Sequence, residues 1–319
     1  MKLFIIEDND ANQRLDKFLK KLLVNSSLSL IFKLNRKNKV KVNWKRQDNE
    51  YKLQPWDEIR LFVSDSEYDV LTKQKIENPK EDWGALSKDD IVYEDSSVLV
   101  MNKGPWVIVH PWDFKTKDLS LIQQVQDYLW NKLNSLTFKP SLVHRIDKDT
   151  SWIIMIAKTK KALDSLLKDL QSDNIEKYYL AIAIWCPETD SWTISKKILR
   201  IEGAKNENKI QIDEKEWQKA ITHYKVLRKG ILWKYSLIEC RLETGRMHQI
   251  RVHLASIWCP ILWDKTYWNL QENAFAKKTY SIDRQLLHAY KVTFKHPEKL
   301  TKITLEARLK EDMDNLLKL

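Results

Sequence analysis

The sequence predicts an α+β protein, with a mostly antiparallel, mixed sheet in a large domain and a small α/β domain ahead of it. Three observations carry this prediction. Short runs of strand character recur after residue 90, at 91–102, 152–157, 178–184, 235–242 and 248–254. Clear helical spacing in that region is confined to 160–170, where Ala162, Leu163, Leu166, Leu167 and Leu170 share a face. Strands interspersed with few helices favour an antiparallel sheet, and 319 residues suffice for one large domain or two ordinary ones.

The small domain opens with a helix over 14–24, in which Leu15, Phe18, Leu19, Leu22 and Leu23 recur at helical spacing. A second apolar stretch, 28–34, predicts another helix. Residues 39–43 alternate like a strand, and 59–63 read as a second strand after a turn at Gln54-Pro55. From Ser64 to Asp90 the chain is polar and charged with few apolar positions in register. We therefore place domains at 12–66 and 89–319, with a linker over 67–88.

Charge and cysteine usage narrow the function classes. The chain carries 55 basic against 44 acidic residues, a formal charge of +11, which favours a polyanionic partner. Lys33, Arg36, Lys37, Lys39, Lys41, Lys45 and Arg46 follow one another with no acid between them. A one-signed stretch across helix, strand and turn predicts a phosphate-binding face rather than merely solvated lysines. Cys186, Cys240 and Cys259 are far apart and odd in number, so neither a disulfide framework nor a zinc cluster is expected, and a reducing cytoplasm fits. Residues 1–10 turn acidic too early for a signal peptide, and no apolar run approaches the roughly 20 residues of a membrane span.

Two constellations could carry chemistry. Residues 142–152 set His144, Arg145, Asp147 and Asp149 between apolar flanks. In extended backbone Arg145 and Asp147 point to the same side, and a guanidinium keeps a neighbouring carboxylate ionised. The pair suits a nucleophile or base. It equally suits a structural ion pair, and the residues alone leave both open. A kinase loop is set aside, because the order is His-Arg-Ile-Asp and no glycine-rich phosphate loop accompanies it. The second constellation spans 243–253. Read as a strand, it puts Gln249, Arg251 and His253 on one face and His248 on the other, so no shared metal is expected. Its arginines suit phosphate or carboxylate instead. A third segment, Lys177-Tyr-Tyr-Leu-Ala181, places Tyr179 in a strand, where tyrosine is ordinarily core.

At these places the chain resembles the RluA-type RNA pseudouridine synthases. His144-Arg145-Ile146-Asp147 through Thr150-Ser151 resembles the family's catalytic motif. Lys177-x-Tyr179-x-Ala181 resembles its second, and Thr244 to His253 followed by Pro260-Ile-Leu-x-Asp264 its third. Asn102-Lys103, His110-Pro111 and Arg284 to Ala289 also match, so the likeness spans about 89–297. Residues 13–63 resemble the RNA-binding domain first described in ribosomal small-subunit protein four, through Arg14-Leu-Asp-Lys-Phe18 and Val40-Lys-Val-Asn43.

The resemblance implies isomerisation of uridine to pseudouridine in structured RNA, with large-subunit ribosomal RNA in a ribosome precursor as the expected partner. It implies no cofactor, no metal and no membrane, and we expect a monomer. It implies Asp147 as the catalytic carboxylate, Arg251 as its partner, Tyr179 stacked on the uracil and Arg145 aiding extrusion of the nucleotide. Arg246, His144 and the 33–46 face would contact RNA. A synthase for transfer RNA, or an RNA-binding protein with a degenerate site, are the competing expectations.

The chain departs from the family pattern in one consistent way. It has 14 Trp and 5 Gly, where an ordinary chain of this length has roughly 22 Gly. Tryptophan stands where the pattern has glycine at Trp44, Trp56, Trp106, Trp112, Trp152, Trp258, Trp263 and Trp268. We read most of these codons as UGA, decoded as glycine in the organism of origin.

Overall fold

The computed structural model describes residues 1–72, 86–105, 107–109, 120–129, 132–133, 135–144, 149–200, 210–212, 218–268 and 270–319. Arg145, Asp147, His110, Trp106 and Trp112 lie outside them.

Strand β1 (Lys2–Ile5) is followed by helices α1 (Leu15–Leu22) and α2 (Leu28–Arg36), then by β2 (Val40–Val42) and β3 (Glu58–Leu61). The strands form an antiparallel sheet in the order β1-β3-β2. Helical spacing in α1 turns Leu15, Phe18 and Leu19 onto a core shared with Ile31, Val40, Val42, Leu53 and Ile59. Ser27 caps α2 by accepting the Leu30 N–H at 3.1 Å. Two features correct the sequence reading. β1 joins the small sheet ahead of residue 12. Helix α3 (Asp65–Thr72) occupies the start of the stretch read as linker, with Tyr68 and Leu71 packed on the small core. Its cause is a capping box: Ser64 Oγ accepts from Glu67 N, and Glu67 Oε2 accepts from Ser64 N.

In the larger part, β4 (Ile91–Glu94) and β5 (Val98–Lys103) form a hairpin where the sequence reads as one strand over 91–102. The break is Asp95, whose Oδ1 accepts the Ser97 and Val98 N–H groups, both at 2.9 Å. There follow α4 (Leu121–Leu129), β6 (Ser141–Leu142), β7 (Ser151–Ala157), α5 (Lys160–Gln171), β8 (Glu176–Ile184), β9 (Ser191–Arg200), β10 (Ile210–Ile212), β11 (Gln218–Ile231) and β12 (Tyr235–Leu242). The chain ends with α6 (Gln249–Ala255), α7 (Leu270–Tyr280), β13 (Leu287–Lys295), β14 (Lys302–Glu306) and α8 (Glu311–Lys318). The sheet runs β10-β9-β11-β12-β8-β13-β7-β5-β4, with β14 on β13 and β6 on β7. Only the β13–β7 pairing is parallel among the described residues, so the sheet is mixed and mostly antiparallel, as predicted.

Both faces of its centre are buried. Along β8, Tyr179, Ala181 and Ala183 point to one face while Leu180, Ile182 and Ile184 point to the other. The first set packs with Leu99, Met101, Ile154, Ile156 and the helices α4 and α6. The second packs with Ala276 of α7 and Met313 and Leu316 of α8, while Ile153 and Met155 pack with α5.

Among the described residues, the contact between the two parts centres on one buried carboxylate. Asp10, 1% exposed, accepts hydrogen bonds from Ser135 Oγ, Leu136 N, Thr137 N and Thr137 Oγ1 at 2.6–3.0 Å. Gln13 Nε2 donates to Thr137 Oγ1 at 3.0 Å, and Lys160 N donates to Asn9 Oδ1 at 3.2 Å.

The segment 248–254, read as a strand, is a helix, α6, with His248 in the left-handed region (φ 55°) at its N-cap. Helical geometry overturns the grouping of Gln249, Arg251 and His253 on one face. Gln249 and His253, four apart, both reach Thr222, whereas Arg251 points elsewhere.

Candidate functional site

Tyr179 and both flanks of residues 145–148 lie on neighbouring strands near the centre of the large sheet. β7 begins at Ser151, directly after the 142–150 segment, beside the N-terminal end of β13. In register, Lys103 of β5, position 152 of β7, Ala289 of β13 and Tyr179 of β8 form one row across four adjacent strands. Tyr179 therefore lies two strand spacings, about 10 Å, from position 152.

Both flanks of residues 145–148 are anchored. On one side Val143 N donates to Met155 O at 3.0 Å, and His144 Nε2 accepts from Met155 N at 3.3 Å. On the other side Ser151 Oγ bonds His288 Nδ1 at 2.9 Å and Gln285 Nε2 donates to Thr150 Oγ1 at 3.1 Å. Arg284, 2% exposed, donates to the Asp149, Gln285 and Leu287 carbonyls and is held by Asp312 at 2.5 and 2.8 Å. The segment 284–289 is thus the clamp on the C-terminal flank of 145–148. The sequence reading noted the segment as a match but gave none of its residues a role.

Arg251 comes from α6, whose Ile250 and Leu254 pack in the same cluster as Tyr179. Asp264, fully buried, holds Arg251 bidentately: Nε to Oδ2 at 2.7 Å and Nη2 to Oδ1 at 2.9 Å. Thr266 Oγ1 accepts a further bond from Nη2 at 3.0 Å, and the Thr266 and Tyr267 N–H groups complete Asp264 Oδ1. A buried guanidinium needs such a partner, and the fork geometry fixes its plane. Asp264 was missed as a site residue because its partner lies 13 positions away. The expected pairing of Arg251 with Asp147 falls outside the described residues.

The turn 244–249 is organised by Gln249. Its Oε1 accepts from Thr244 Oγ1 and Arg246 N at 2.8 and 3.1 Å, and its Nε2 donates to Ile221 O and Thr222 Oγ1, each at 3.0 Å. Arg246 is left exposed on that turn. His248 Nδ1 bonds Tyr267 Oη at 3.0 Å and His253 Nδ1 bonds Thr222 Oγ1 at 2.9 Å, so the two histidines engage different partners.

Burial sets the titration of the histidines here. It pushes His144 down to about 3, with the Lys177 charge adding to the effect. His144 is therefore neutral near pH 7, and its expected RNA contact is not that of a cation. Burial also lowers Lys177 below the usual lysine range, against the opposing pull of Asp173. Lys177, two residues from Tyr179 on the same face of β8, and buried Lys103, paired with position 152, are charged groups near these segments to which the sequence reading gave no role. Both were already inside quoted motifs.

The basic run is displayed on α2, β2 and the turn between β2 and β3. Lys33, Arg36, Lys37, Lys45 and Arg46 are exposed, and Lys39 and Lys41 are half-buried. Lys39 meets Glu67 of α3 at 3.6 Å, and Lys41 lies over the Phe62 ring.

A separate polar line, Thr193–His223–Glu243, crosses the outer strands with bonds of 2.8 and 2.6 Å. Thr193 and His223 are cross-strand register partners, Glu243 follows the end of β12, and the line lies at a partly exposed surface with no buried nucleophile.

Comparisons with known proteins agree with this arrangement. A family described as RNA pseudouridylate synthase matches residues 97–256, and the S4 domain matches 13–59. A protein named ribosomal large subunit pseudouridine synthase C from Buchnera aphidicola subsp. Baizongia pistaciae is 32% identical over 319 residues, covering 98% of this chain and 95% of that one. The protein of the same name from Vibrio cholerae is 30% identical, covering 98% and 94%. The solved structure of human RNA pseudouridylate synthase domain containing 4 superposes with a TM-score of 0.58 at 22% identity, covering 72% of this chain and 91% of that one.

Proposed function

The chain belongs to the RNA pseudouridine synthase family and is an isomerase with an S4 domain, and from that premise we propose that it modifies uridines of large-subunit ribosomal RNA through Asp147. The observation that carries the target is the near full-length similarity, at 30–32%, to proteins named for the large ribosomal subunit.

The reaction breaks the bond from ribose C1′ to uracil N1, turns the base, and joins C1′ to C5. The C5 proton is lost and N1 regains one, so atoms balance without any external reagent. The target base must leave its stack, and Arg145 fills the space it leaves. Asp147 acts as the carboxylate that engages the nucleotide. Arg251 keeps it ionised, since a guanidinium beside a carboxylate favours its charged form. Asp264 supports this role by fixing the guanidinium in one plane. Tyr179 stacks on the uracil from the β8 end of the row described above. Arg246 and the 33–46 face bind phosphates, and the S4 domain adds affinity through shape and backbone contacts.

The test is pseudouridine mapping on unmodified ribosomal and transfer RNA transcripts, using protein with glycine at the tryptophans that match family glycines. Discrete sites in large-subunit RNA that vanish with Asp147→Ala are expected. Sites confined to transfer RNA would overturn the target, and binding with no modification would overturn the activity.

A further inference from the structure

Tryptophan is among the residues least suited to the left-handed region, because its Cβ crowds the following carbonyl. Six tryptophans nonetheless occupy it: Trp44 (φ 68°), Trp56 (70°), Trp185 (66°), Trp233 (62°), Trp258 (61°) and Trp263 (64°). They are six of the nine tryptophans among the described residues, whereas Gly230 is the one glycine there with positive φ.

Four of the six stand in motifs with a defined glycine position. Val42 and Lys45 exchange both backbone hydrogen bonds around Asn43-Trp44, with positive φ at both central residues, the Asn-Gly pattern of a type I′ hairpin. Asp57 N donates to Gln54 O around Pro55-Trp56, so Trp56 takes the third position of a type II turn, where Pro-Gly is preferred. At the end of α6, Cys259 N donates to Leu254 O and Trp258 N to Ala255 O. That is a Schellman motif with Trp258 in its glycine position. Asp264 N donates to Ile261 O around Leu262-Trp263, again with positive φ at the third residue.

The side chains give independent support. Trp44, Trp56, Trp233 and Trp258 leave 62–85% of their surface exposed, so their rings fill no core. Trp263 is buried, and so is its indole N–H, which has no acceptor among the described residues; the buried indole N–H of Trp268 has none among them either. Buried indole N–H groups ordinarily find a partner.

We infer that Trp44, Trp56, Trp185, Trp233, Trp258 and Trp263 are glycines in the protein made by its own cells, each encoded by UGA and decoded there as glycine. UGA differs from the glycine codon GGA by its first base alone. Trp185 and Trp233 belong to no motif quoted from the sequence, so the backbone extends the assignment to them. At position 263 the consequence reaches the site. Glycine permits the tight turn that delivers Asp264 to Arg251, making residue 263 a positioning residue for that pair. Trp192, in extended β9, carries no such backbone demand.

Peptide mass spectrometry of the protein purified from its own cells tests the assignment directly. Glycine masses at the six positions, over UGA codons, are expected. Tryptophan at them, or UGG codons, would overturn it. A second readout compares recombinant protein carrying the six tryptophans with the variant carrying Trp→Gly at all six positions. A rise in Tm on the order of 2 °C per relieved turn is expected, and Trp192→Gly serves as the control that gains nothing. An unchanged or lowered Tm in the sixfold variant would contradict the backbone argument.

Discussion

Arg251 and Asp264 pose the sharpest question at the scale of single residues, because both are almost wholly removed from water. Removing one partner strands the other charge. Asp264→Ala is expected to cost about 3–5 kcal/mol in chemical denaturation and to abolish activity. Arg251→Met combined with Asp264→Leu should recover most of the stability and none of the activity, and a double variant that stayed active would show the pair to be purely structural. Neither residue type nor spacing made this pairing legible, because it is formed by a turn that the sequence does not describe. Tyr179 and the flanks of residues 145–148 stand out in the sequence as motif residues, and they lie on neighbouring central strands, while Arg251 comes from α6 over the outer strands.

Buried histidines give the protein a defined acid response. Burial lowers His253 and His288 from 6.5 to about 4, so their neutral forms are favoured in the fold. The unfolded chain takes up these protons near 6.5, the folded chain only near 4. Their contribution is complete above about 6.5 and is lost as pH falls towards 4. Tm should decline across that window, and His288→Gln should flatten the decline. An equal slope in that variant would remove the histidine from the explanation.

Among elements, those with one wet face were the easiest to read. Helices α1 and α5 carry polar residues on one side, so their period is visible in the sequence. Helix α6 was taken for a strand because Gln249 through Leu254 are all buried, which erases any polar phase. The long strands β9 and β11 went unread because their lysines interrupt the apolar alternation; along β11 exposure runs through most of 225–230. The basic run on α2 and β2 was legible because sign survives without any knowledge of the fold. Replacing Lys33, Arg36 and Lys37 together with Ala should weaken RNA binding without changing which uridines are chosen. The dependence of log affinity on log salt should flatten by about 2–3 units. An unchanged slope would place the phosphates elsewhere.

For the whole molecule, the relation of the two parts rests on Asp10. Its four accepted bonds are local to one turn of the large part, and no sequence pattern announced them. Asp10→Ala leaves partly buried donors unpaired, a cost of about 1 kcal/mol on the contact. Small-angle scattering should then show a larger radius of gyration, with kcat on short RNA retained and KM for ribosomal RNA raised. No change in either would mean that the contact does not orient the RNA-binding part. Fold class and the order of the two parts were readable from sequence because they follow from periodicity and motif order. Their docking was not, because it depends on a few side chains, Asp10 foremost, meeting groups more than a hundred residues away.

The chemistry itself is tested most directly by the fate of the uracil C5 proton. With ribosomal RNA tritiated at uracil C5, the protein should release tritium to water in step with pseudouridine formed, and Asp147→Ala should bind the RNA and release none. Release persisting in that variant, or pseudouridine absent from the wild-type reaction, would contradict the account.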